Sequence, residues 1–201
     1  MTTDAMRFDD RVVVVTGAGR NLGRDYALAL AARGAAVVVN DLGVGLSDTD
    51  GRAENPLTNP ADDVVQEIRA AGGRAVANYD TVSTAEGGRS IVDCALDNFG
   101  RIDVVVNNAG QVRMDDFGNF PDESVDALID TQLRGALNVS RPAWRHMATQ
   151  RFGRFVNVSS GAAFGGVPQG ASTPWPRWAP SDCQQRHRRG AGDDQQQQRA
   201  E

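Results

Sequence analysis

Four consecutive valines, Val12-Val13-Val14-Val15, run directly into Thr16-Gly17-Ala18-Gly19-Arg20-Asn21-Leu22-Gly23. A short, unbroken β-branched run reads as a strand buried on both faces, because a half-exposed strand would alternate apolar and polar residues. Beyond the glycines the period changes. Leu22, Tyr26, Ala27, Leu30 and Ala31 recur at helical spacing across residues 21–33, and Gly34 supplies the stop. The alternation then repeats. Strands are predicted at 36–39, 75–79, 102–106 and 155–158, and helices at 61–71, 84–98 and 124–149, the last starting near Asp122. Between Asp41 and Pro60 lies a polar stretch rich in Gly, Asp and Asn, read as a surface loop. Strand and helix in strict alternation predict an α/β fold with a mostly parallel, doubly wound sheet.

That regularity ends near residue 168. Residues 169–201 carry Pro174, Pro176 and Pro180, two isolated tryptophans, Arg186-His187-Arg188-Arg189 and a glutamine run at 195–198, without sustained apolar periodicity. Such a segment buries too little surface to offset the entropy of ordering, so it reads as a disordered tail (169–201) behind an incomplete domain (1–168).

Composition removes several functions. With a net charge of −5, the chain is a poor candidate for gripping nucleic acid or an anionic membrane. No apolar run approaches the roughly 20 residues of a membrane span, and the first ten residues lack the apolar segment of a secretory signal. Cys94 and Cys183 make neither a disulfide framework nor a zinc-site spacing, which fits a reducing cytoplasm. Cys94 reads as a core thiol and His146 as a helix-surface residue, with no second ligand at useful spacing, so no metal is expected. All 21 basic residues are arginine. Any mechanism that needs a lysine is therefore closed to the chain as written.

The glycine-rich turn sits between the first strand and first helix, where glycines let the backbone approach a pyrophosphate and helix-start N–H groups favour its charge. By itself such a turn is common punctuation. Asp41 adds weight, because it lies just past the second strand, 18 residues after Gly23, near the spacing of an acid that accepts from the adenosine ribose hydroxyls. A carboxylate there repels a 2′-phosphate, so NAD is preferred to NADP. Arg20 pulls mildly the other way, and Asp41 as an ordinary loop acid is the alternative.

Together, Thr16-Gly17 to Gly23, Asn40-Asp41-Leu42-Gly43, Asn78-Tyr79-Asp80 and Asn107-Asn108-Ala109-Gly110 resemble the short-chain dehydrogenase/reductase family. Within it, residues 101–110 are similar to the (3R)-hydroxyacyl-CoA dehydrogenase part of peroxisomal multifunctional enzymes and their bacterial relatives. The resemblance covers about residues 7–168. It implies a Rossmann-like, homo-oligomeric oxidoreductase that moves hydride between a nicotinamide and a secondary alcohol or ketone, here truncated after the fifth strand with the oligomer interface lost. A dinucleotide-binding module without catalysis is the alternative. A Rossmann methyltransferase explains neither Asn107 to Gly110 nor Ser160.

Carried over by position, the resemblance assigns Gly17, Arg20, Asn21, Leu22 and Gly23 to the pyrophosphate turn and Asp41 with Leu42 to the adenosine ribose. Asp80 and Thr81 fall to the adenine, and Asn107, Ala109 and Gly110 to the cofactor ribose and the central sheet. The residues themselves offer a second reading of Asn107 to Gly110: side-chain amides satisfy backbone groups at a strand end, and Gly110 permits close approach. Asn21 replaces the usual middle glycine of the turn, and asparagine tolerates unusual backbone angles better than most residues. Ser160 matches the substrate-binding serine, with a strand-end cap as its alternative role. Gln132 stands where many members carry a catalytic asparagine.

The resemblance then requires a tyrosine at 173 and a lysine at 177, where this chain has Thr173 and Arg177. Arginine's planar fork differs from an ammonium in reach and donor geometry, and Pro174 and Pro176 break the helix that would present it. A frameshift is the expected origin of the tail, with a naturally divergent tail as the alternative. Reading residues 172–179 one base earlier permits Tyr-Ala-Met-Ala-Lys-Met-Gly, in which the single tryptophan codons of Trp175 and Trp178 force the second alanine and the glycine.

Overall fold

A computed structural model describes residues 6–43, 59–112 and 117–160. Residues 44–58, the boundary at 168, the tail and positions 173 and 177 lie outside the described residues. Two compact units are distinguished, Met1–Gln111 with Pro121–Ser159, and Val112–Phe120 with Ser160–Glu201. The described part of the second contains a 3-10 turn, Phe117–Asn119.

In the first unit, strands β1 (Val12–Thr16), β2 (Ala36–Asn40), β3 (Arg74–Asn78), β4 (Val104–Asn107) and β5 (Arg154–Asn157) form one parallel sheet in the order β3-β2-β1-β4-β5. Helices α1 (Asn21–Ala31), α2 (Pro60–Ala70), α3 (Ala85–Phe99), α4 (Asp122–Leu128) and α5 (Gly135–Gln150) complete it. This is the expected Rossmann-like arrangement. The valine runs divide as a two-period strand must: Val13, Val15, Val37 and Val39 pack with α1 and α2, while Val12, Val14 and Val38 pack with α3 and α5. Strand order reverses between β1 and β4, which opens the crevice of the fold at the carboxyl edge.

Local chemistry sets the helix limits. Asn59 caps α2, accepting from the Ala61 amide, and Pro60 occupies the first turn, so the helix starts one residue before its predicted position. Thr84 is the cap of α3, accepting from the Gly87 amide, and Gly100 ends that helix in the left-handed region at φ 74°. The single helix predicted from 124 to 149 is instead α4 and α5 joined by a π-helical segment, Ile129–Arg134. The Ala127 carbonyl, part of that ladder, receives a bond from Gln111 Nε2 (3.3 Å), and Thr131 Oγ1 receives another from the same atom (3.0 Å). A side chain inserted into the ladder is a known cause of such bulges, and apolar periodicity does not register it.

At the outer edge, β5 pairs with β4 alone among the described residues. Phe155 stacks on Trp144, ring centroids 6.4 Å apart, and the two line a cleft of about 380 Å³ with Ser140, Arg141 and Arg145.

The opposite, amino edge is pinned by one acid. The Asp103 side chain is fully buried and accepts from the Val12 amide (3.0 Å), Arg11 Nη1 (3.0 Å) and the Arg101 fork (2.8 and 2.7 Å). Arg11 also lies 3.9 Å over the Phe152 ring. Burial pushes the Asp103 carboxyl up, but the Arg101 fork, the Val12 amide and Arg11 together outweigh it and hold it below the usual carboxylate range. A depressed native pKa gives stability that is present above the unfolded value of about 3.9 and lost as pH falls through the native one. Asp103→Asn is therefore expected to cost about 2 kcal/mol in urea denaturation at neutral pH. The gap to wild type should narrow as pH falls through the depressed native value, where the Asp103 carboxyl takes up its proton. Equal stability at pH 7 would show that the cluster is not a stabilising one.

Candidate functional site

Each strand ends in a hydroxyl or amide residue. Thr16 is level with Asn40 and Asn40 with Asn78 across β1, β2 and β3, and Asn107 is level with Asn157 across β4 and β5. At this rim the chain leaves the ladder, and backbone groups that lose strand partners need others. Thr16 Oγ1 accepts from the amides of Asn108 and Ala109, both at 3.0 Å, and donates to the Val106 carbonyl (3.3 Å). Asn40 Nδ2 donates to Asn78 Oδ1 (2.8 Å) and to the Asp80 carbonyl (2.9 Å). Asn107 Nδ2 donates to Asn157 Oδ1 (2.8 Å) and Ser140 Oγ (3.0 Å). Asn107 Oδ1 is the one buried side-chain polar atom without a partner among the described residues.

The glycine-rich turn leaves β1 over this rim. Gly17 adopts φ 63°, and a Cβ there would lie 2.9 Å from Ala109 Cα. A Cβ on Gly23 would collide with the Gly17 carbonyl and Asn108 Nδ2. Both positions need glycine because the turn, the helix start and the Asn108 loop converge on one another. Asn108 Nδ2 ties them by donating to the carbonyls of Thr16 (2.9 Å) and Gly17 (3.0 Å). Asn21 takes φ 47°, the left-handed conformation expected of the residue standing for a glycine. Arg20, at the N-cap, offers α1 no side-chain cap, so the first amides of that helix are capped by no side chain and suit an anion. Leu22 is half-exposed beside them.

Asp41 follows β2 directly. Its Oδ2 accepts from the Gly19 amide and its Oδ1 from the Gly43 amide, both at 2.9 Å. Leu42 is about half-exposed next to it. Past β3, Asp80 Oδ2 accepts from Asn78 Nδ2 (2.8 Å) and Ser90 Oγ (2.6 Å), which fixes the carboxyl, and Thr81 Oγ1 accepts from the Ser83 amide (3.1 Å). The turn, Asp41 and Asp80 thus lie along the carboxyl edges of three adjacent strands.

Gln132 lies in the π-helical segment, and its Nε2 donates to the Gln111 carbonyl (2.6 Å). A Cβ on Gly110 would meet Gln132 only at 3.6 Å, an ordinary contact, so close approach does not explain that glycine. The amide reading of the loop holds for Asn108 instead. Ser160 is the last described residue, three positions after β5, and belongs to the second unit. Of the two tyrosines, Tyr26 lies on α1 and Tyr79 just past β3. The Tyr79 hydroxyl donates to Asp62 (2.6 Å), which with burial pushes its pKa up to about 12. Neither matches the tyrosine expected at 173.

These residues suit a dinucleotide. The turn has no room for side chains at Gly17 and Gly23, the α1 start presents amides, and Asp41 presents a carboxylate. Sequence reading did not assign Thr16, Asn78 or Asn59 a role. The signal was present, since VVVVT, AVVVN, RAVAN, VVVN and RFVN all end in a polar residue, but only the register puts these ends on one level.

Residues 11–172 match the short chain dehydrogenase family. The chain is 52% identical over 161 residues to the peroxisomal multifunctional enzyme type 2 of Mus musculus, covering 80% of this chain and 21% of that protein. It is 48% identical over 161 residues to the peroxisomal hydratase-dehydrogenase-epimerase of Saccharomyces cerevisiae, covering 80% and 17%. Both relatives are thus several times longer than the part matched. The crystal structure of a short chain dehydrogenase from Mycobacterium avium superposes with a TM-score of 0.71 at 43% identity, over 82% of this chain and 57% of that one. With the parallel sheet, the glycine-rich turn and the matched span agreeing, the chain belongs to the short chain dehydrogenase family.

Proposed function

We propose that this chain binds NAD in preference to NADP. We further propose that it derives from oxidoreductases that move hydride between that cofactor and a secondary alcohol or ketone, such as a 3-hydroxyacyl thioester. Asp41 carries the reading. A carboxylate offers about four acceptor positions, and the amides of Gly19 and Gly43 use two, which leaves two for the paired hydroxyls of an adenosine ribose. A 2′-phosphate at the same place would bring two like charges together. On this reading Gly17, Arg20, Asn21, Leu22 and Gly23 hold the pyrophosphate, and Leu42 flanks the ribose. Asp80 and Thr81 face the adenine, and Asn107, Ala109 and Gly110 close on the second ribose. When bound, the nicotinamide takes up or supplies the hydride. The thioester class rests on similarity to dehydrogenase-containing enzymes several times longer than this chain.

Turnover by the chain as written is impaired. On the resemblance, Ser160 would hydrogen-bond a substrate oxygen and Gln132 a water, but neither side chain moves a proton readily near neutrality. Thr173 and Arg177 replace the tyrosine and lysine that the resemblance requires, and no lysine exists elsewhere. Tyr79 is no substitute, because an adjacent carboxylate raises its pKa, whereas an acid–base tyrosine needs a cation to lower it. The absence of lysine also favours the second reading, a dinucleotide-binding module without catalysis. The frameshift is a proposal about the gene. Its sequence around codons 165–173 should contain a one-base shift that restores Tyr-x-x-x-Lys, and failure to find one ends that idea.

Calorimetry on the full chain is expected to show NADH binding, with no NADH formed from NAD and a 3-hydroxyacyl-CoA. Measurable turnover would mean that another acid–base pair exists, and absence of binding by folded protein would defeat the dinucleotide reading. Asp41→Ala should lower the preference for NADH over NADPH by about tenfold or more, as expected for loss of charge-assisted hydrogen bonds and of like-charge repulsion.

A further inference from the structure

Asp41 is held at every polar atom it has. Its amide donates to the Asn78 carbonyl (3.0 Å), its two carboxylate oxygens take the Gly19 and Gly43 amides, and its own carbonyl accepts from Asn59 Nδ2 (3.2 Å). Asn59 is 18 residues further along, at the start of α2. The rest of its side chain is also engaged, since Oδ1 accepts from the Ala61 amide at 2.9 Å. Its amide group lies against Gly43, where a Cβ would collide with Asn59 Nδ2. Pro60 and the acid both close on Gly19. A Cβ on Gly19 would lie 2.9 Å from Asp41 Oδ2 and 2.9 Å from both Cβ and Cγ of Pro60. The start of α2 is thus seated on both the acid and the glycine-rich turn.

We propose that Asn59 and Pro60 are specificity-determining positioning residues for the dinucleotide. They lock Asp41 in the orientation that accepts an unphosphorylated adenosine ribose and stop the carboxylate from turning away from a 2′-phosphate. This rests on the NAD reading above. A mobile acid can move aside for NADP and share its place with a counter-charge such as Arg20. A carboxylate pinned by two amides, with the residue's carbonyl tied to Asn59 and Pro60 packed against the Gly19 whose amide it accepts, must keep its charge where the 2′-phosphate would sit. Discrimination then depends on how rigidly the acid is held as well as on its being there.

The test is titration of the full chain with NADH and with NADPH, followed by nicotinamide fluorescence, for wild type, Asn59→Ser, Pro60→Ala and Asp41→Ala. Serine remains a good helix cap but is too short to reach the Asp41 carbonyl, so it separates capping from positioning. Asn59→Ser is expected to keep the wild-type melting temperature while the ratio of NADPH to NADH dissociation constants falls by about fivefold to tenfold. Pro60→Ala should lower the ratio in the same direction. In the Asp41→Ala background, Asn59→Ser should change nothing further, as expected if the two act through one another. A purely structural Asn59 would weaken both nucleotides equally and leave the ratio alone. A ratio within twofold of wild type in Asn59→Ser overturns the inference and leaves the NAD reading standing. Wild-type protein that binds neither nucleotide overturns both.

Discussion

The polar rim at the carboxyl edge of the sheet is the constraint on which the rest of this structure depends. The central strands β1 and β2, buried at every residue, can be apolar along their length because a strand pairs with them on each side. That pairing ends on one level, and there Thr16, Asn40, Asn78, Asn107 and Asn157 replace the valines. The Thr16, Asn40 and Asn78 side chains take up backbone groups of the departing loops, while Asn107 ties to the side chains of Asn157 and Ser140. Thr16 fixes the start of the Asn108 loop, Asn108 fixes the glycine-rich turn, and Asn40 with Asn78 fixes Asp80. The anion-facing helix start and the two acids are held by a network that would have to be rebuilt together if any strand shifted register.

The amino edge is organised differently. There one buried acid, Asp103, gathers the Val12 amide and two arginines and sets β1 against β4. A charge cluster serves at this end because its cations reach solvent while the carboxylate stays buried, so the cost of desolvation falls on one partner. The two edges thus divide the work between holding the sheet together and shaping a site. The tyrosine and lysine that the resemblance requires are absent from positions 173 and 177 of the sequence.

Much of the fold was legible because its signals are local. Valine runs, helical spacing and the stop at Gly34 placed the strands and helices of the sheet within a few residues. The main exception arises where a distant group decides. The π-helical segment goes with Gln111 reaching the ladder from 16 residues away, whereas the one-residue earlier start of α2 is a local matter of Asn59 capping the Ala61 amide. Asn21 was legible for the same local reason as the strands, since a residue standing for a glycine must tolerate a left-handed backbone, and it does at φ 47°. Gly110 was not, because glycine in a motif gives no hint whether space or backbone angle is at stake.

By itself the sequence determined the class of fold, the strand and helix order, the glycine-rich turn with its acid, and the absence of lysine from the chain. Each follows from residue type and spacing, which act over a turn of helix or a pair of strand residues. Tertiary structure decided which strand ends share a level and which amides Asp41 receives. It also decided that Asn59, across an 18-residue separation, lies against the acid. These depend on sheet register and on the docking of one helix against another element, and no short-range pattern encodes a contact between segments that meet only after the sheet has formed.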